Sequence, residues 1–291
     1  MMGNSSMSTA AVSVVKAYMA MPWGQLHYRT VPSDPALPLL IMLHQSPLSS
    51  RNYESLLPLL SEHCRPVALD TPGYGGSSAV PEQWEVADYA KVVWDIADTM
   101  GADRVLVFGR ATGAVFALEA ALTQPQRVLG LVLHGLPVYT DAERADRMRS
   151  FAPPFPAAAD GAHLLGIWNR IKGEYPWIDP ELATHFTHDF LSAGSDFARS
   201  YRAIWRYDLP QRVLDDPSLA MLLLGGGADR IGYMHPRAVA LLPRAQALWL
   251  DGATDFVAEQ QPALFANCLT AFIESCLTGD LGSGRGNART S

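Results

Sequence analysis

The chain has 291 residues, 48% of them hydrophobic and 18% charged, with a formal net charge of −7. That length and apolar content suit one large domain with an insertion, or two smaller domains. The acidic balance excludes a non-specific nucleic-acid binder, which needs clustered Lys and Arg for phosphate contacts.

Cys64, Cys268 and Cys276 form an odd set without C-x-x-C spacing, so reduced thiols in a cytoplasmic protein are expected. Residues 1–11 lack a basic stretch followed by a long apolar core, so no signal peptide is expected. No apolar run approaches the ~20 residues that span a bilayer. Residues 39–43 are a short, continuous apolar run of the kind buried in a parallel sheet. Residues 53–60 have helical spacing, 66–70 read as the next strand, and 71–78 form a turn-rich loop. Residues 86–100 read as a helix with Gly101 as its C-cap. Residues 104–108 are a third buried strand, which runs into Gly109-Arg110-Ala111-Thr112-Gly113 and then a helix over 114–122. Residues 128–133 read as a fourth strand. Residues 138 to about 215 carry no strand pattern and are rich in Trp, Phe, Tyr, His and Pro. Strand-like runs resume at 220–224 and 246–250, and a last helix covers 262–277. The run 279–291, rich in Gly, Ser, Asn and Arg, is expected to be a disordered tail. This alternation predicts an α/β chain, a mostly parallel sheet covered on both faces, with one helical insertion.

Five segments, in this order, resemble the α/β-hydrolase superfamily in its helical-cap branch. Leu43-His44-Gln45-Ser46-Pro47 resembles the H-G-x-P oxyanion loop. Asp70-Thr71-Pro72-Gly73-Tyr74-Gly75-Gly76-Ser77 resembles the D-x-P-G-x-G-x-S loop. Gly109 to Gly113 has the G-x-S-x-G spacing of a nucleophile elbow. Gly225-Gly226-Gly227-Ala228-Asp229 resembles the strand end that carries the triad acid, and Gly252-Ala253-Thr254-Asp255-Phe256 the loop that carries the triad base. The resemblance covers about residues 15–277. It implies an α/β-hydrolase core over 1–137 and 216–278, a helical cap over 138–215 and a tail over 279–291.

The resemblance also implies a Ser-His-acid triad, and here the chain departs from it. Ala111 holds the nucleophile position, and a methyl group cannot attack a carbonyl. Asp255 holds the base position, and only Asp229 keeps the expected residue type. Gln45 replaces the usual oxyanion-loop glycine. The expected catalytic set is therefore Asp255, sharing a proton with Asp229 through mutual repulsion, Arg110 as an added cation, and the alanine position itself. The N–H groups of Ser46 and Thr112 are expected to hold an oxyanion or a carboxylate at the start of the elbow helix. His44, Gln45, Ser46 and Thr112 are expected around the substrate, with Trp168 and Trp205 roofing an apolar pocket. His185 and His188 stand three apart, but nothing clusters with them, so neither a metal nor a cofactor is expected.

The function expected is an enzyme of non-serine mechanism acting on a small apolar or aromatic substrate by proton transfer, of lyase, decarboxylase, isomerase or cofactor-free oxygenase type. Two alternatives stay open: a ligand-binding protein without turnover, and a hydrolase of ester or C–C bonds whose nucleophile was replaced by Ala111. The partner expected is a small molecule, with no nucleic acid and no membrane, and a homodimer stays open beside a monomer.

Overall fold

A computed structural model describes residues 12–151, 155–195, 197–209 and 219–279, together with the backbone of 288–290. Its strands are β1 Val15–Met21, β2 Gly24–Thr30, β3 Leu39–Leu43, β4 Arg65–Leu69, β5 Val105–Arg110, β6 Val128–His134, β7 Met221–Gly226, β8 Gln246–Leu250 and β9 Ala288–Thr290. They form one sheet in the order β1-β2-β4-β3-β5-β6-β7-β8-β9. The β1–β2 hairpin joins β4 antiparallel, and every later neighbouring pair is parallel. The helices are α1 Leu57–Leu60, α2 Val86–Thr99, α3 Thr112–Thr123, α4 Asp141–Ser150, α5 Ala162–Glu174, α6 Pro180–Ala193, α7 Arg199–Arg206, α8 His235–Leu241, α9 Val257–Gln260 and α10 Pro262–Thr278.

The two faces of the sheet follow the period-two alternation of a strand. Leu39, Ile41 and Leu43 of β3 pack with residues of α2 and α3, while Leu40 and Met42 pack with α1 and α10. Because both faces are covered, β3, β5 and β7 are buried along their whole length, which explains their continuous apolar runs. Helices α4 to α7 lie between β6 and β7 in the chain. Their aromatic cluster includes Phe186, Phe190 and Phe197, and it closes on Leu48, Tyr74 and Phe256 of the sheet-bearing part. The Tyr74 hydroxyl donates to the Phe197 carbonyl at 2.9 Å, and Ser49 Oγ donates to Asp189 Oδ2 at 2.9 Å, so polar bonds join the same two layers. Among the described residues no helix is long and apolar enough to cross a membrane.

Three local expectations change. The β1–β2 hairpin carries no burial pattern that sequence periodicity detects, because β1 is mostly exposed at the sheet edge. The helix expected over 53–60 shortens to Leu57–Leu60, preceded by a 3-10 turn at Ser50–Tyr53. Pro58 sits in the first turn of α1 and restricts the residue before it. Within the expected tail, Ala288–Thr290 pairs parallel with β8, giving backbone partners to what is otherwise an open sheet edge. Residues 280–287 and 291 of that tail, 152–154, 196 and 210–215 of the expected cap, and 1–11 and 216–218 of the expected core lie outside the described residues.

The turn from β5 into α3 shapes the site. Ala111 has φ 49° and ψ −110°, and among the described residues no other non-glycine residue has a positive φ. The turn is flanked by two close backbone crossings. A Cβ on Gly109 would lie 2.2 Å from the Gly113 carbonyl oxygen, and one on Gly113 would lie 2.4 Å from the Leu43 carbonyl oxygen. Gly109→Ala and Gly113→Ala are each expected to cost about 3 kcal/mol in urea unfolding, since neither crossing has a flexible atom to move. Ala111→Gly is expected to stabilise the fold by about 1 kcal/mol, because relief of the strained φ exceeds the entropy cost of glycine. A loss of stability in Ala111→Gly would show that the turn is not strained.

Candidate functional site

Arg110, the last residue of β5, turns its side chain inward and is only 3% exposed. Its Nη2 lies 2.9 Å from Asp229 Oδ2 and 3.4 Å from Asp255 Oδ1. The N–H directions do not follow these lines, so the contacts are ionic, and none of the three guanidinium nitrogens donates a hydrogen bond to a described residue. Room for this side chain comes from Gly135, where φ is +57° and a Cβ would lie 2.1 Å from Arg110 Nη1. The two carboxylates are fixed by backbone. Asp229 Oδ1 accepts from the Ile231 N–H at 2.9 Å, and Asp255 Oδ2 accepts from the Arg230 N–H at 3.0 Å. The Tyr175 hydroxyl donates to Asp255 Oδ1 at 3.4 Å and accepts from Arg230 Nη1 at 2.9 Å.

The electrostatics follow from burial and these contacts. Burial pushes the Asp255 carboxyl above its ordinary value; Arg110 pulls it back down and Asp229 pushes it further up. Burial opposes the charge on Arg110, yet Asp229 and Asp255 together hold the guanidinium more firmly protonated than usual. His134 lies 3.9 Å from Asp229 Oδ2, but burial and the neighbouring Arg110 drive its pKa well below the ordinary value, so it stands neutral.

The oxyanion side differs from expectation. The Ser46 N–H donates to Thr112 Oγ1 at 2.7 Å, so it is already engaged by a side chain. The Thr112 hydroxyl donates to Ser46 Oγ at 3.0 Å, Ser200 Oγ donates to the same atom at 2.7 Å, and the Tyr201 hydroxyl donates to the Ser46 carbonyl. The N–H of Thr112 itself, in the first turn of α3, has no intrahelical acceptor. His44 is fully buried and holds backbone: its Nε2 accepts from the Thr71 N–H at 2.9 Å, which leaves Nδ1 to donate to the Gln45 carbonyl at 2.9 Å. Burial lowers its pKa, in keeping with a neutral ring.

A pocket partly open to solvent lies between this turn and helices α4 to α7. Of the expected site residues it brings together Arg110, Ala111, Thr112, Gln45, Ser46 and Asp255. Four expected residues lie off its walls. Asp229 stands behind Arg110, and His44 is tied to the loop backbone. Trp168 packs against the aromatic cluster of the helical insertion. Trp205 is 5% exposed, stacked on Tyr201 at 5.6 Å and edge-on to Phe151 at 5.1 Å. The roof expected of the two tryptophans is supplied instead by Phe186, Phe190, Phe197 and Tyr201, because the indoles fill contacts within the apolar clusters. Sequence reasoning missed Arg147, Arg170, Tyr175 and Arg230 as wall residues. Arg230 had a cue in its place beside Asp229; the others meet only through helix packing. His185 Nε2 accepts from Arg51 Nη2 at 2.7 Å, and the His188 side chain is 68% exposed. Among the described residues no group of three or more His, Cys, Asp or Glu side chains is arranged to hold a metal ion.

Comparison with known proteins agrees with this fold. Residues 38–164 match the family model of the alpha/beta hydrolase fold. The chain is similar to a 2-(acetamidomethylene)succinate hydrolase of Mesorhizobium japonicum, 23% identical over 253 residues, which is 82% of this chain and 88% of that protein. It is also similar to haloalkane dehalogenase 2 of Mycobacterium tuberculosis, 28% identical over 259 residues with the same coverage of 82% and 88%. Further relatives align over only about a third of their own length. A crystal structure of a hydrolase from Pseudomonas aeruginosa superposes with a TM-score of 0.72 at 20% identity, covering 89% of this chain and 98% of that one. The chain has the α/β-hydrolase fold.

Removing the guanidinium tests the ion cluster. Arg110→Met leaves two buried carboxylates facing each other, so the Asp255 titration midpoint, followed by carboxyl ¹³C NMR, is expected to move further up. Stability is expected to fall by about 3 kcal/mol at pH 7. An unchanged Asp255 midpoint would mean that Arg110 does not set its ionisation.

Proposed function

We propose that this protein is an enzyme of non-serine mechanism that moves a proton on a small apolar or aromatic substrate held under a helical cap, with Asp255 as the proton carrier. The observation that carries this reading is that Asp255 and Arg110 line one pocket beside Ala111. A carboxyl raised by burial exchanges protons closer to neutral pH than a solvated one. In this reading Asp255 takes a proton from carbon next to a carbonyl group. The negative charge that develops on the carbonyl oxygen is stabilised by the Arg110 N–H groups and by the first turn of α3. Asp255 then returns the proton to product and ends as the carboxylate it began as. Small-molecule substrates also appear in the names of the relatives, a succinate derivative in one and a haloalkane in the other.

Three features count against acyl-enzyme chemistry: the methyl group at 111, the carboxylate at 255, and the engagement of the Ser46 N–H by Thr112. A ligand-binding role without turnover is favoured by a different observation. Asp255 is restrained from three sides, by Arg110, the Arg230 N–H and the Tyr175 hydroxyl, as a structural carboxylate is.

Ala111→Ser is expected to show no hydrolysis of 4-nitrophenyl acetate above the wild type, since no imidazole is there to activate the hydroxyl. Robust turnover would restore the hydrolase reading. The proton-transfer reading is tested with phenylpyruvate in D₂O, with loss of the C3 proton signal followed by NMR. The wild type is expected to exceed the buffer rate, and Asp255→Asn to lose that excess by about a hundredfold or more. A wild type that adds nothing to the buffer rate favours the binding role.

A further inference from the structure

The pocket is more basic than the chain around it. Four arginines line it, Arg110, Arg147, Arg170 and Arg230, against two carboxylates, Glu174 and Asp255, in a chain whose net charge is −7. Two of these arginines are accounted for by local ion pairs. Arg110 faces Asp229 and Asp255, and Arg230 donates to Glu174 Oε2 at 2.7 Å. Of the other two, Arg170 is paired with Glu174 through a single nitrogen, its Nε, which donates to Oε1 at 2.9 Å. Arg147 has no acidic partner among the described residues, and its one specific contact is with an aromatic ring.

That ring joins the two. The Cζ atoms of Arg147 and Arg170 lie 5.4 and 5.6 Å from the centroid of Phe151. Arg170 also lies 5.4 Å from the Phe190 centroid and 5.1 Å from that of Phe197. An aromatic ring against a guanidinium holds its plane and leaves the N–H edges available to an acceptor. Here the edges belong to two residues on the wall of one pocket, contributed by α4 and α5. Ala111, Arg110 and Asp255 line the same pocket. Placed at an anchor of this kind, binding energy orients the reacting part of a ligand.

We propose that this pocket takes a small organic carboxylate with an aromatic or apolar body, its carboxylate on Arg147 and Arg170 and its body directed toward Ala111 and Asp255. A planar monoanion fits the flat guanidinium edges. A phosphate of higher charge does not fit as well, because Glu174 and Asp255 share the pocket and repel it. The proposal rests on the reading of this pocket as the substrate site, but it concerns what binds rather than what reacts.

The test is calorimetric titration of the full-length protein with phenylacetate, 3-phenylpropionate and 4-phenylbutyrate, each against its neutral amide. At least one acid is expected to bind about tenfold or more tightly than its amide, and added NaCl is expected to narrow that gap. Arg147→Gln and Arg170→Gln are each expected to remove most of the preference, weakening acid binding far more than amide binding. Arg147→Lys, which keeps the charge, serves if a glutamine variant does not fold, and it is expected to keep part of the preference. Equal binding of acid and amide, absence of binding by every acid at millimolar concentration, or a preference that survives both glutamine variants would overturn the proposal. Failure of the proton-transfer reading looks different: the acid preference persists in the wild type and in Asp255→Asn, while phenylpyruvate exchange stays at the buffer rate.

Discussion

Arg110 enters the interior from the end of β5, and its charge is compensated there by Asp229 and Asp255. A buried guanidinium needs such compensation, and the rest of the site is arranged around supplying it. Gly135 leaves the space, the Ile231 and Arg230 N–H groups orient the two carboxylates, and His134 is kept neutral by the same positive charge. In the resembled triad an imidazole links acid and nucleophile, and it gains and loses protons near neutral pH. A guanidinium does not, because it stays protonated at any pH at which the fold survives. The Asp255 carboxyl, raised by burial, is the group on which the proposed proton transfer rests.

The turn around Ala111, between β5 and α3, holds a non-glycine residue at positive φ. Its positive φ is held by the close crossings at Gly109 and Gly113, which pin β5 and α3 against the loop after β3. The turn still aims residue 111 and the first residues of α3 at the pocket, so the helix dipole and the Thr112 N–H remain available to negative charge. The Thr112 side chain acts in the opposite sense, since its hydroxyl occupies the Ser46 N–H. One residue thus presents one backbone donor to the pocket and takes another away.

Helices α4 to α7 contribute one wall of the pocket. Their aromatic cluster is sealed onto the sheet-bearing part by Leu48, Tyr74 and Phe256, which holds the two layers in one arrangement. The arginines of α4 and α5 are positioned against those rings, so apolar packing and electrostatics serve the same surface. The consequence is a basic lining inside an acidic protein, on which the proposed preference for a small anion rests.

The parallel strands were legible in the chain itself, because a strand covered on both faces demands an unbroken apolar run such as Leu39–Leu43 or Val105–Phe108. The loop motifs were legible for a related reason, since glycine at 109 and 113 reflects backbone contacts that no Cβ allows. Ala111 and Asp255 stood out in the sequence as departures from the resembled pattern, and the structure places both on one pocket wall. Tertiary structure alone decided the ion cluster, the closing of the Ser46 N–H by Thr112, and the meeting of Arg147 and Arg170 on Phe151. It also sent Trp168 and Trp205 into apolar clusters rather than onto the pocket wall. Local pattern reports how deeply a segment is buried and which dihedrals it needs. Which side chains converge depends on how helices far apart in the chain cross and rotate against one another, and no local periodicity encodes those angles.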